Sequence, residues 1–169
     1  TTYSPNAFGQ PTLVKDPVNA RVYAYEISWY PNGALAGFTY GNGVKHTLTK
    51  NARDLPWRSR DMNGGATVID YTYSYDENGN PTVIDDALNL DDKTLVYDPL
   101  DRLTSATGSY GEATMAYDAL DNLTRYSLPG RDWYYDTDAA TQRLQRTRTA
   151  DNVTQVSLGY DPRGNVQTR

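Results

Sequence analysis

The chain has 169 residues, enough for one domain with a core and too few to argue for two. Sixteen Lys and Arg against 21 Asp and Glu leave a net charge of -5, which argues against the clustered basic surface that nucleic acid requires. Cysteine is absent, which excludes disulfides and thiolate metal sites, and no apolar run approaches the roughly 18 residues needed to cross a bilayer.

Fifteen Tyr against two Phe, with 13 Gly and nine Pro, describe a sheet-rich chain with many turns and half-wet aromatic faces. The opening "TTYSPNAFGQ" has no initiator Met, basic region or apolar region, so a piece of a longer protein is expected.

One short pattern recurs along the whole chain. It appears as "PNAFGQPT" from Pro5, "WYPNGALA" from Trp29, "KNARDLP" from Lys50 and "YDENGNPT" from Tyr75. It returns as "YDPLDRLT" from Tyr97, "YDALDNLT" from Tyr117, "YDTDAATQRL" from Tyr135 with a longer turn before Leu144, and "YDPRGNVQ" from Tyr160. These eight copies, spaced 18 to 25 residues apart, make residues 1–169 a single repeat region of about eight hairpins.

Each column has a physical reason. Asn6, Asn51, Asp76, Asp98, Asp118, Asp136 and Asp161 (with Tyr30 as the exception) fall where a short polar side chain bonds to backbone N–H groups ahead of it, position i of a type I turn. Pro31, Pro99 and Pro162 follow at i+1, where the fixed φ already suits the turn. Gly9, Gly33, Gly79 and Gly164 occupy i+3, and Asp54, Asp101 and Asp121 replace glycine with a residue that tolerates left-handed geometry.

The segments entering the turns alternate with the period of a half-buried strand. "YAYEISWY" places Tyr23, Tyr25, Ile27 and Trp29 on one side, and "YTYSY" does the same with Tyr71, Tyr73 and Tyr75. The rings Tyr25, Trp29, Tyr73, Tyr75, Tyr97, Tyr117, Trp133, Tyr135 and Tyr160 are thus expected to line one common face. A lone hairpin is marginal in water, so eight must pair edge to edge; sixteen strands at ~4.8 Å spacing give a ribbon on the order of 75 Å wide. The fold class expected is all-β, an open, twisted and curved antiparallel sheet of tandem β-hairpins.

These columns, with "WYPNGALAGFTYGNGV", resemble the YD repeats of the RHS (rearrangement hot spot) family over the span from Tyr3 to Arg169. The resemblance implies an arc of a β-sheet cocoon that, in bacterial members, encloses a toxic C-terminal segment. It implies as partners the remaining RHS repeats and the C-terminal toxin or passenger of the same polypeptide, and a secreted or cell-surface bacterial setting. Some members release the toxin by self-cleavage in a region with Asp-Pro-x-Gly-Leu-like sequence. Here Asp161-Pro162-Arg163-Gly164 is followed by Asn165 and fits the ordinary repeat column, so that machinery is not expected in this stretch.

Catalytic chemistry finds little support. His46, the one histidine, would need a serine and a carboxylate gathered around it. "DENGNP" from Asp76 half-matches a calcium loop, but Pro81 and Ala87 stand where Gly and Glu are required. Asp85, Asp86, Asp91 and Asp92 read as a solvated acidic loop rather than paired glycosidase acids. "GNG" at Gly41 to Gly43 reads as another turn. No catalytic residue, metal site or cofactor is assigned. The function expected is that of a non-enzymatic shell segment, which self-associates through exposed strand edges. The alternative is a cell-surface carbohydrate-binding or adhesion module using the Tyr/Trp face, with Tyr73 and Trp133 as glycan contacts.

Overall fold

The structure, a computed structural model, describes residues 1–88 and 91–168. Asn89 and Leu90 in the acidic stretch, and Arg169 at the end of the repeat span, lie outside the described residues. The chain packs as two units, Thr1–Asp92 and Lys93–Arg169.

The first unit holds β1 (Thr2–Pro5), β2 (Pro11–Lys15), β3 (Val22–Trp29), β4 (Leu35–Tyr40), β5 (Lys45–Lys50), β6 (Pro56–Asn63), β7 (Ala66–Tyr75) and β8 (Pro81–Asp86). The second holds β9 (Lys93–Tyr97), β10 (Leu103–Gly108), β11 (Gly111–Tyr117), β12 (Leu123–Leu128), β13 (Arg131–Thr137), β14 (Leu144–Arg148) and β15 (Thr154–Ser157). A two-stranded sheet of β16 (Gly159–Tyr160) and β17 (Val166–Thr168) completes it. Within each unit the strands stand side by side in chain order, and their pairings are antiparallel. The fold is all-β, an open antiparallel sheet of tandem hairpins. Eight hairpins call for sixteen strands; β15 and β16 are one such strand interrupted at Leu158, whose N–H donates to Gln145 O at 2.8 Å.

Beside all eight repeat turns the ladder slips by one residue. Ala116 faces Arg125 but Tyr117 faces Leu123, so Thr124 is the extra residue; Thr12 and Thr104 hold the same place in their own hairpins. The hydroxyls of Thr12 and Thr104 donate across the bulge to Ser4 O and Val96 O, at 2.7 and 3.2 Å. A recurring bulge re-aims the strand end toward the turn and adds twist.

Period-two alternation divides each sheet into unlike faces. In the first unit Phe38, His46, Leu48, Ile69, Tyr71, Tyr73 and Ile84 share one face by register. In the second, Ala106, Ala113, Met115, Tyr126, Trp133 and Tyr135 do so. The opposite faces carry ion pairs: Arg58 and Arg60 on Asp70, Arg125 on Asp132, Arg146 and Arg148 on Asp136.

Tyr25 departs from the expected aromatic face. Glu26 adopts φ 54° in a bulge inside β3, so Tyr25 faces Thr39 while Ser28, not Ile27, faces Gly37. That extra residue inverts the alternation, and Tyr25 stands on the polar face with Thr39.

Burial is thin for a chain of this length. Among the described residues Ala106 and Ala113 are the buried apolar side chains, at 7% and 4% exposure, and no large side chain is fully buried. The aromatic faces are half-covered, which leaves them short of a two-layer core.

Candidate functional site: the turn edge and the aromatic face

The repeat turns share one hydrogen-bond design. The residue at i+3 donates its N–H to the carbonyl of residue i, and residue i donates its own N–H to the carbonyl of i+4. Asn6, Asn51, Asp76, Asp98, Asp118 and Asp161 occupy position i. Gly9, Gly33, Gly79 and Gly164 occupy i+3 with φ from 77° to 95°, and Asp54, Asp101 and Asp121 take the same left-handed place at 61° to 65°.

The polar side chain at position i gathers the loop. Asp118 Oδ1 accepts Leu120 N and Asn122 N at 2.8 and 2.9 Å, and Oδ2 accepts Asn122 Nδ2 at 2.9 Å. Asp161 repeats this with Arg163 and Asn165, and Asp98 with Leu100 and Arg102. The side chains of Asn122, Asn165 and Arg102 are the leading cause holding these carboxyls below the usual range. At Asp76 partial burial pushes the other way most strongly, and the hydrogen bonds from Asn80, Gly79 and Asn78 outweigh it. Both Asp76 oxygens are turned to Gly79 and Asn80, the arrangement of a turn rather than a calcium loop.

Asp136 is displaced from the turn role assigned to it. It lies in β13 and accepts from Arg146 and Arg148; the turn acid is Asp138, whose Oδ1 accepts Ala140 N, Thr141 N and Thr141 Oγ1. This turn is one residue longer, closing from Asp138 N to Arg143 O with Gln142 at φ 56°. Thr137 thus takes the Tyr column, and Trp133 and Tyr135 stand two residues further from the turn on an unchanged face.

Neighbouring hairpins are stitched at this edge. Tyr117 OH donates to Leu103 O at 2.9 Å, Tyr160 OH to Leu144 O at 2.8 Å, and Trp29 Nε1 to Pro11 O at 2.9 Å. In each case the acceptor is the first residue of the preceding hairpin's return strand. Arginines do the same between turns: Arg53 donates to Asp76 O and Glu77 O, Arg102 to Asp118 O and Asp121 Oδ1, and Arg143 to Asp161 O. Arg102 and Arg143 also lie over the Tyr117 and Tyr160 rings, at 4.9 and 5.5 Å.

On the aromatic faces, partial burial raises the phenol pKa values of Tyr73, Tyr75 and Tyr135, so these rings are neutral. Tyr97 is half-buried at the end of β9. The Arg131 guanidinium stands 4.6 Å over the Trp133 ring and takes up one of its faces. His46 meets a carboxylate: Nδ1 lies 2.6 Å from Asp61 Oδ1 across the β5–β6 ladder, with Phe38 at 5.0 Å between ring centroids. This is the orienting half of a catalytic arrangement; among the described residues no hydroxyl bonds to the imidazole. Asp86, expected in a solvated loop, is 3% exposed and accepts Leu88 N. Asp85 accepts Thr72 Oγ1.

Among the described residues, no helix is long and apolar enough to cross a membrane. No family model and no curated protein matches the sequence. Solved structures do match in fold. A TcdB2-TccC3-Cdc42 crystal structure aligns with a TM-score of 0.74 at 16% identity, and a Photorhabdus luminescens Tc holotoxin pore carrying a TccC3 mutation with 0.73 at 16%. A TcdB2-TccC3 structure without its hypervariable C-terminal region aligns with 0.72 at 17%. Each alignment covers 98% of this chain and 11% of the other, so the chain spans about a ninth of the toxin-complex chains it matches. The fold of this chain, an open antiparallel sheet of tandem hairpins, is shared with these toxin-complex chains.

Proposed function

We propose that the chain is a wall segment of an RHS-type shell in a secreted bacterial toxin-complex protein, and that it contains a passenger polypeptide without performing chemistry of its own. The observation that carries this reading is that, among the described residues, almost no buried core underlies the half-covered aromatic faces. A sheet of this kind satisfies its backbone internally and leaves its apolar surface to be covered by something else. Its partners are further repeats of the same polypeptide and the enclosed segment. The free edges of β1 and β15 are templates for another strand, including that of a second copy.

Limited proteolysis of the full-length protein tests containment. The segment following the repeats should resist cleavage in the intact protein and become sensitive when repeat turns are disrupted. Equal cleavage with and without an intact shell overturns the reading. A carbohydrate-binding role for the same face predicts glycan-array signal that falls on Tyr73→Ala or Trp133→Ala, and the Arg131 cover on Trp133 counts against it.

A further inference from the structure

The chain contains four Asn-Gly dipeptides: Asn32-Gly33, Asn42-Gly43, Asn63-Gly64 and Asn78-Gly79. Asn-Gly is the sequence at which an asparagine amide is most open to attack by its own backbone, because glycine places no side chain beside the following nitrogen. All four lie in turns, and the turns treat them differently.

In three, the attacking nitrogen is tied down. Gly33 N donates to Tyr30 O at 2.9 Å and Gly43 N to Tyr40 O at 2.8 Å. Gly79 N donates to Asp76 O at 3.3 Å and Asp76 Oδ1 at 2.9 Å. The electrophile is also held at Asn32, whose Oδ1 accepts Ala34 N, and at Asn42, whose Oδ1 accepts Val44 N. These constraints follow from turn type: the glycine at i+3 of the repeat-like turn faces the carbonyl of residue i.

The fourth turn is a two-residue hairpin. Asn63 closes β6 opposite Ala66 of β7, and the loop is Gly64-Gly65, with Gly64 at φ 58°. A two-residue loop sets neither central N–H opposite an acceptor. Among the described residues, the Gly64 N–H and the Asn63 side chain make no hydrogen bond, and residues 63 to 65 are exposed. A Cβ at Gly64 or Gly65 would meet nothing within 4 Å, so no neighbouring group crowds that side of the loop.

We propose that Asn63-Gly64 is a site of spontaneous deamidation, and that the turn geometry protects the other three Asn-Gly pairs. The Gly64 nitrogen attacks Cγ of Asn63. The new N–Cγ bond forms as the Cγ–Nδ2 bond breaks, and the Gly64 proton leaves with the amide nitrogen as ammonia. The five-membered succinimide is then opened by one water at either carbonyl, to aspartate or to isoaspartate. The isoaspartyl product carries an extra methylene in the backbone of a loop only two residues long, where the Asn63 and Ala66 pair closes the β6–β7 ladder.

The test is ageing of the full chain at 37 °C in mildly alkaline buffer, read by peptide mass mapping and by enzymatic methylation of isoaspartate. A parallel sample is held in urea. In the folded chain the peptide containing Asn63 should convert about tenfold faster than those containing Asn32, Asn42 or Asn78, the scale set by opening one ordinary hydrogen bond. In urea all four should convert at similar rates. Asn63→Gln should remove the fast conversion, and Gly64→Ala, which crowds the nitrogen, should slow it while keeping the asparagine. Equal rates at the four sites in the folded chain, or faster conversion at any other Asn-Gly pair, overturns the proposal.

Discussion

Replacing Tyr117 by Phe removes one oxygen from the column that stitches hairpin to hairpin and leaves ring, burial and strand propensity in place. The hydroxyl donates at 2.9 Å to Leu103 O, a half-buried carbonyl at the start of the preceding return strand. A net intramolecular hydrogen bond of this kind contributes about 1 kcal/mol. For a chain of this size that corresponds to about 2–4 °C in melting temperature. Tyr160→Phe removes the equivalent bond to Leu144 O and should lower melting by a similar amount. The two share no partner, so the double variant should show the sum of the single effects. Tyr110→Phe is the control, since that ring is 43% exposed in a loop on the other edge and should melt like the parent. Thermal unfolding followed by far-ultraviolet circular dichroism reads all four. If both stitching variants melt with the parent, or if Tyr110→Phe falls as far as they do, the column is decoration rather than attachment.

The turn carboxylates make the fold acid-sensitive. Hydrogen bonds from the Arg102, Asn122, Thr141 and Asn165 side chains, in that order, lead in holding Asp98, Asp118, Asp138 and Asp161 below the free value in the folded chain. Each therefore contributes stability that is complete above the unfolded pKa, about 4, and lost as pH falls through the lower folded value. Melting should drop steeply below about pH 4. Asp118→Asn should flatten part of that drop while keeping its turn, because Asn6 and Asn51 make the same backbone bonds as amides, whereas Asp118→Ala should lower melting at neutral pH too. Asp54→Gly should raise stability by up to about 1 kcal/mol, since residue 54 sits at φ 61° with its side chain 80% exposed. His46→Leu should be destabilising by about 1–3 kcal/mol through the stranded Asp61 carboxylate, which is 8% exposed. Recovery in the His46→Leu, Asp61→Leu double variant would assign the pair to structure; loss of a measurable reaction would assign it to catalysis.

The fold was legible because its information is local. An Asp or Asn at i, a Pro at i+1 and a Gly or Asp at i+3 specify a turn without reference to distant residues, and the aromatic period specifies a face. The errors arose where one residue is added. The dipeptide Tyr135-Asp136 looks like the column, yet the longer turn draws on Asp138, and the signal available was the second acid followed by Thr141. Tyr25 was misassigned because nothing in "YAYEISWY" announces that Glu26 adopts a left-handed backbone. Arg102, Asn122 and Asn165 at i+4 clamp the second carboxylate oxygen of the turn acid, a role that needed coordinates. The approach of His46 to Asp61 depends on the β5–β6 register, which spacing alone does not convey.

Within each unit, attachment through hydroxyls, guanidinium groups and ladders links neighbouring hairpins, so stability should be distributed as in a repeat array rather than a globular core. Hydrogen exchange distinguishes the two. In Tyr117→Phe the β9–β10 and β11–β12 hairpins lose a shared bond, and their amides should exchange faster. The β13–β14 amides, still held by Tyr160 and by Arg143 to Asp161 O, should keep their parental protection. A uniform acceleration across β9 to β15 would mean that this unit opens all at once, and the nearest-neighbour account of what the tyrosine column does would then be wrong.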